Sequence, residues 1–224
     1  MNTFLLIDAS NFFHTCYWPA VAANEQDAKY NVQDVFTLNL EQKLDSIHRV
    51  LAESGITGFR TFFVEDRPAK AKLALYPEYI GNREKKEFVF SPKEVGKAYL
   101  SKRYPNAVWC WVEDNEADDA IASFVRSMPE VQFVVASSDK DLWQLAAPNV
   151  KIFRLTSNRF MEAADVEKEF RTTRTELVPL YKTLWGDSGD NVKNLVPRMQ
   201  KNLMPVLELT DGSLDSFWAK YSEM

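Results

Sequence analysis

The residues of this chain best suited to chemistry are acidic, and they fall at the ends of apolar runs. Asp8 follows Phe4-Leu5-Leu6-Ile7, and Glu65 and Asp66 follow the run from Phe59 to Val64. Glu113, Asp114, Glu116, Asp118 and Asp119 follow Val108 to Val112, and Asp139 and Asp141 follow Gln132 to Ala136. Brought together unpaired, such carboxylates would repel one another, and would either take up protons or destabilise the fold. A divalent cation removes that conflict. Oxygen ligands without a neighbouring His or Cys suit Mg²⁺ or Mn²⁺. Two such ions roughly 4 Å apart activate water and stabilise a leaving oxygen, which is the chemistry of phosphodiester hydrolysis.

The elements that must position these acids read as strands alternating with helices. The four apolar runs are short, and rich in β-branched and aromatic residues, as buried strands are. Asn149 to Leu155 reads as a fifth strand. Val32 to Leu51 carries apolar residues at helical spacing, and Glu116 to Met128 does so through Ala117, Ile121, Phe124 and Val125. This alternation predicts an α/β fold with a central, mostly parallel sheet flanked by helices. In such a sheet the carboxyl ends of the strands share one edge, where ligands bind. The stretch Ala69 to Tyr104 differs in character, being rich in Lys, Arg and Glu with Tyr76, Tyr79, Phe88, Phe90 and Tyr99 interleaved. It reads as an inserted or flexible region beside the sheet. From Thr172 onward the chain reads as helical, with breaks at Gly186-Asp187-Ser188-Gly189, Pro197 and Pro205.

Each acidic cluster also has a plainer reading. Asp8 could cap a turn, and Asp114 or Asn115 could cap the helix that follows. Glu116, Asp118 and Asp119 could favour that helix's positive end. Asp139-Lys140-Asp141 could be a polar turn, and Gly186 to Asn191 a loop. What sets the plain readings back is that every cluster comes directly after a strand or between helices.

Composition narrows the classes. The chain has 224 residues, 46% apolar, 13% aromatic and 26% charged, which is ordinary globular material with enough apolar residues for a core. No apolar run reaches the roughly 18 residues of a membrane span, and the N-terminus has no basic region, so a cytoplasmic protein without membrane partners is expected. Cys16 and Cys110 read as reduced packing residues, with a single disulfide left open. His14 and His48 lie in helical contexts and read as packing or surface residues. Two histidines do not make a His-rich zinc site. No GxGxxG or Walker loop is present, which argues against a nucleotide cofactor.

The motifs resemble those of the 5′-nuclease superfamily: flap endonucleases, phage 5′–3′ exonucleases and the 5′-nuclease domain of bacterial DNA polymerase I. The resemblance lies in Leu5-Leu6-Ile7-Asp8-Ala9-Ser10-Asn11, in Tyr76-Pro77-Glu78-Tyr79 followed by Gly81-Asn82-Arg83, and in Glu116-Ala117-Asp118-Asp119. It continues in Ser138-Asp139-Lys140-Asp141-Leu142 and in Gly186-Asp187-Ser188-Gly189-Asp190-Asn191. These five stretches keep the family's order. The resemblance implies a PIN-like 5′-nuclease fold over residues 1–224, with a basic arch at about 69–104 and a reduced C-terminal helical module at about 172–224. It implies metal-ligating and catalytic roles for Asp8, Asp66, Glu116, Asp118, Asp119, Asp139, Asp141, Asp187 and Asp190. Of these, Asp8, Asp66, Glu116 and Asp118 would lie nearer one metal, and Asp119, Asp139, Asp141, Asp187 and Asp190 nearer the other. It also implies nucleic-acid contacts from Lys72, Arg83, Lys85, Lys86, Arg198 and Lys201. The partner would be DNA at 5′ ends, flaps or single strands, or an RNA–DNA hybrid. Setting these nine acids apart turns the net charge of −5 positive over the rest of the chain, so the acidic total is a weak objection to such a partner.

The chain departs from the family pattern twice. A lysine normally follows the tyrosine matching Tyr79, and here Ile80 stands there. Lys72 stands where an arginine is common, and Lys85 or Lys86 is a candidate substitute for the missing lysine. After Asn191 the family continues into a Gly-rich hairpin that binds duplex backbone, often with K⁺. Here Val196 to Asn202 contains no glycine, which argues against an ordered K⁺ site. Phe12, Phe13, Tyr17 and Trp18 could stack an unpaired base; Phe12 and Phe13 read better as core, and Tyr17 stays open. Two alternatives remain at this stage: a non-catalytic binder of branched or single-stranded nucleic acid, which Ile80 and the missing glycines favour, and a PIN-type ribonuclease.

Overall fold

Six strands form one sheet in the order β3-β2-β1-β4-β5-β6. In the computed structural model, which describes residues 3–81, 87–195 and 203–222, they are β1 (Thr3–Asp8), β2 (Phe59–Val64), β3 (Val108–Cys110), β4 (Gln132–Ala136), β5 (Val150–Arg154) and β6 (Arg159–Phe160). The first five pair in parallel, and β6 runs antiparallel to β5. β6 has only two residues, too few for an alternating pattern to show in the sequence. β3 stops at Cys110, two residues short of the predicted run.

The helices are α1 (Ala9–Gln26), α2 (Val32–Glu53), α3 (Lys70–Leu75), α4 (Pro92–Arg103), α5 (Ala117–Ser127), α6 (Ala163–Phe170), α7 (Val178–Trp185), α8 (Leu203–Glu208) and α9 (Leu214–Ser222). Side chains alternate across β1, and the two faces feed two cores. Leu5 and Ile7 join Phe12, Phe13, Phe36 and Leu40 under α1 and α2. Leu6 joins Ala117, Ile121, Val135 and Trp143 under α5. A third cluster joins Leu177, Leu180 and Leu184 to Val206, Leu207 and Phe217, uniting α7 with α8 and α9.

The stretch expected to be inserted or flexible is ordered helix in its second half. Ser91 caps α4 by accepting from the Glu94 amide, and Pro92 fills the first turn. Leu100 is fully buried. A Cβ on Gly96 would come within 2.5 Å of the Phe13 ring, so glycine lets α4 lie directly on α1. Among the described residues, no helix is long and apolar enough to cross a membrane.

Candidate active site

β1 leads to β2 on one side and pairs with β4 on the other, so the strand order reverses at its carboxyl end, which is where open α/β sheets bind ligands. There Asp8 ends β1 at 6% exposure. Its Oδ1 accepts from the Asn11 amide at 3.1 Å, capping α1, and its Oδ2 accepts from the Ser137 hydroxyl at 2.9 Å. Asp8 therefore is the cap of the plain reading and also faces the cleft. Burial, with help from the nearby charge of Asp66, pushes its pKa up to about 7.

The cleft holds about 730 Å³ and is lined by eight of the nine predicted acids: Asp8, Asp66, Glu116, Asp118, Asp139, Asp141, Asp187 and Asp190. Asp66 reaches across to α5 and accepts from the Ala117 amide at 2.7 Å, the capping that the plain reading offered to Asp114 or Asn115. A carboxylate at that helix end is favoured by the orphan amides. Carboxylate oxygens of Glu116, Asp118 and Asp119 lie within 4.8 Å of one another. Asp119 thus stands beside Glu116 and Asp118, whose helical turn it shares.

Lys72 holds this first bank together. Its Nζ lies 2.8 Å from Glu116 Oε2, 2.8 Å from Asp119 and 3.7 Å from Asp118. Burial opposes the charge on Lys72, but its bonds to Asp119 and Glu116 prevail and hold its pKa above the usual lysine value. Lys72 therefore turns inward to acids, where the resemblance suggested phosphate contact. The Tyr79 hydroxyl donates to Glu116 Oε2 at 2.6 Å and lies 3.4 Å from Asp190, linking the two sides of the cleft. Burial and then the Glu116 bond raise its pKa. Burial also pushes Asp118 up to about 6, against the pull of Lys72.

The second bank stands on turns. Asp139 accepts from the Asp141 amide at 2.9 Å, and its own amide donates to the Ser137 hydroxyl at 3.0 Å. Burial raises its pKa. Carboxylate oxygens of Asp141, Asp187 and Asp190 lie within 4.8 Å of one another. Lys182 on α7 pairs with both Asp141 and Asp187. Burial works against the charge on Asp187, but Lys182 outweighs it and holds that pKa below the usual range. Lys182 escaped the sequence reading because nothing in its spacing marks it; the one available signal is its place a turn before the Gly186 loop.

That loop depends on glycine. Gly186 has φ +74°, and a Cβ there would meet Val192 O and Asn194 N at 2.7 Å. Asp187 and Val192 exchange backbone hydrogen bonds across it, at 2.9 and 2.7 Å. The loop is tied to the turn at Glu78 and Ile80: the Ile80 amide donates to Asp190 O at 3.1 Å, and Asn191 Nδ2 donates to Glu78 O at 2.8 Å. Ile80 itself has φ +52°, strained for a β-branched residue.

The aromatics of α1 are core. Phe12 and Phe13 are buried, and so is Tyr17, whose hydroxyl accepts from the Val89 amide at 2.8 Å. Exposed His14 lines the cleft with its ring 5.6 Å from Phe88. Cys16 and Cys110 are free thiols. Arg83, Lys85, Lys86, Arg198 and Lys201 lie outside the described residues.

Comparison with known proteins agrees with this geometry. The family described as 5′-3′ exonuclease, N-terminal resolvase-like domain, matches residues 3–171. The chain is 24% identical over 212 residues to a flap endonuclease Xni of Shewanella halifaxensis (strain HAW-EB4), covering 93% of this chain and 78% of the relative. It is 28% identical over 173 residues to a DNA polymerase I of Rhizobium leguminosarum, covering 76% of this chain and 17% of that one. In structure it is similar to the bacteriophage T5 D15 flap endonuclease solved with DNA and metal ions, at a TM-score of 0.65 and 18% identity over 96% of this chain and 77% of that chain. It is also similar to the catalytic core of Rad2 with DNA substrate, at a TM-score of 0.52 and 15% identity over 99% and 66%.

Proposed function

Because the chain belongs to the 5′-3′ exonuclease N-terminal domain family, we propose that it hydrolyses phosphodiester bonds at or beside the 5′ ends of DNA, with two divalent cations, Mg²⁺ or Mn²⁺, held by its two acidic banks. One observation carries the reading: eight carboxylates from five separate parts of the chain share one cleft. The donor set fits such ions. It is oxygen only, and Lys72 and Lys182 offset just part of its charge. The raised pKa values of Asp8 and Asp118 are those of acids awaiting a stronger counter-charge.

Asp8, Asp66, Glu116 and Asp118 would hold one ion, with Asp119 supporting them through Lys72. Asp139, Asp141, Asp187 and Asp190 would hold the other. Bound there, the cations supply an activated water and neutralise charge on the leaving oxygen. The chain's own groups do the positioning. Asn11 and Ser137 fix the Asp8 carboxylate, and Tyr79 fixes Glu116. Lys182 holds Asp141 and Asp187 together and offers the cleft a cation for a phosphate oxygen. Residues 172–222, with the cluster around Leu184 and Phe217, would serve as the duplex-side helical module.

Ile80 favours a second reading, a DNA binder with weak turnover, since the family lysine is missing at the cleft's edge. Labelled single strand, nicked duplex, 5′ flap, 3′ flap and RNA–DNA hybrid, incubated with Mg²⁺, Mn²⁺ or EDTA, decide between them. The nuclease gives metal-dependent products from the 5′ side. Intact substrates with a retained gel shift leave the binder.

A further inference from the structure

A cationic cluster sits beside the cleft, organised by a carboxylate outside both banks. Glu65 directly precedes Asp66 and is 1% exposed. Its Oε2 accepts from Lys97 Nζ at 2.8 Å, with Arg67 at 3.9 Å, and Lys93 Nζ lies 3.8 Å from its Oε1. Oε1 accepts no hydrogen bond among the described residues. A buried carboxylate left with an unused acceptor is costly, so an ion pair that served only to tie α4 to the sheet would be a poor device. Arg67 also lies 3.9 Å from Glu113, so three cations face two carboxylates and the cluster stays positive.

The cluster also points somewhere. Lys93 and Lys97 are four apart on α4 and so share a face. Lys93 lines a hollow with Ser10 and His14, and those two also line the acidic cleft. Lys97 lies 5.1 Å from the ring centre of Trp109, and Arg67 stacks 4.3 Å above Trp111, which is 42% exposed. The row thus begins beside the cleft and ends on a partly exposed indole whose Nε1 donates to Glu113 at 2.9 Å. Cations in line with an exposed aromatic face are what a single strand of nucleic acid requires: charges for its phosphates and a surface for a base.

We propose that Glu65 is a positioning residue that gathers Lys93, Lys97 and Arg67 into a phosphate-binding rail for the single-stranded part of the substrate, with Trp111 as its stacking face. The rail supplies cations beside a cleft where Ile80 supplies none. This rests on the nuclease reading for the identity of the ligand, DNA.

The test is binding of a 5′-tailed duplex and a blunt duplex of equal length across a salt series. It is run with Mg²⁺ in the Asp139→Asn/Asp141→Asn background, so that binding is read without cleavage. Adding Lys93→Gln and Lys97→Gln should flatten the salt slope for the tailed DNA by about 1.4, at 0.7 per lost single-strand contact, and leave the blunt duplex unchanged. Trp111→Ala should weaken tailed DNA roughly 5- to 100-fold. Glu65→Gln should reduce the preference for tailed DNA, and the lysine changes should add little on top of it. An unchanged slope with tail preference retained overturns the rail and leaves Glu65 a structural anchor. Lys93 has a half-exposed side chain, so Lys93→Gln alone, with an expected change of about 0.7, keeps the test available if the buried variants fail to fold. Cleavage of tailed DNA by the unaltered chain is scored separately, so failure of the rail is distinguished from failure of the nuclease reading.

Discussion

The first acidic bank stands on the sheet, and the second stands on turns. Asp8 ends a central strand, and Asp66 follows a strand end and caps α5, whose first turn carries Asp118 and Asp119. Both banks carry a lysine, but with different results. Burial prevails at Asp8 and Asp118, whose pKa values rise to about 7 and about 6. Lys182 prevails at Asp187, whose pKa falls. The first bank is therefore fixed in place and short of counter-charge. In the second, Lys182 neutralises Asp187 while burial still raises Asp139, and its geometry hangs on Gly186 and on hydrogen bonds to the turn at Glu78 and Ile80. Desolvation sets the state of Asp8 and Asp118, and loop geometry sets the place of Asp187 and Asp190.

The difference can be broken from either side. The largest expected effect is Asp8→Asn, which should lower cleavage by about 10³-fold or more through loss of a ligand. The same change should stabilise the metal-free protein. Asp8 ionises at about 7 in the fold against 3.8 ordinarily, so the native state holds its proton longer than the unfolded chain does. The stability from this group is complete below pH 3.8 and is lost as pH rises to about 7. Melting temperatures in EDTA should show the parent falling relative to Asp8→Asn across that window, and Mg²⁺ should narrow the gap. A parent that keeps pace with the variant would mean Asp8 is not strained by burial.

Gly186→Ala attacks the second bank alone. The new Cβ meets backbone at 2.7 Å and must adopt φ +74°. Stability should fall by roughly 1–3 kcal/mol in denaturant titration, and cleavage by about 10²-fold as Asp187 and Asp190 shift. Equal damage to the first bank, read as a changed pH dependence of melting, would mean the banks are not separable. Ile80→Lys is the mildest change. An unbranched residue keeps the Cβ cost of the left-handed backbone but sheds the crowding of β-branching, and it returns a cation to the cleft's edge, so stability should rise slightly and cleavage increase a few-fold. A variant with higher stability but unchanged turnover would show that other cations already serve the phosphate.

The two banks were not equally legible in the sequence. Strand-end acids such as Asp8 and Asp139 are visible because a buried parallel strand is an apolar run, and the residue after it must sit at the binding edge. The α/β fold followed from the same runs. The pairings were not visible. Lys72 and Lys182 reach acids 44 and 41 residues away, and no local pattern encodes that. The nearness of Asp119 to Glu116 and Asp118 follows from their shared helical turn, which the order of the acids along the chain does not announce. The close approach of α4 to α1 needs one glycine against one phenylalanine, Gly96 on Phe13, which charge and aromatic content do not announce.

Both banks are proposed to act on one reaction through divalent cations. Single-turnover cleavage of a 5′-tailed duplex by the parent chain and by Asp139→Asn/Asp141→Asn, with Mg²⁺, Mn²⁺ or EDTA, tests this. The double variant removes two carboxylates of the second bank, leaves the sheet-borne bank intact and scarcely alters side-chain shape. The account predicts 5′-side products from the parent only when a divalent metal is present, and little or none from the variant. Cleavage that persists in EDTA, or that the variant performs as fast as the parent, would contradict it.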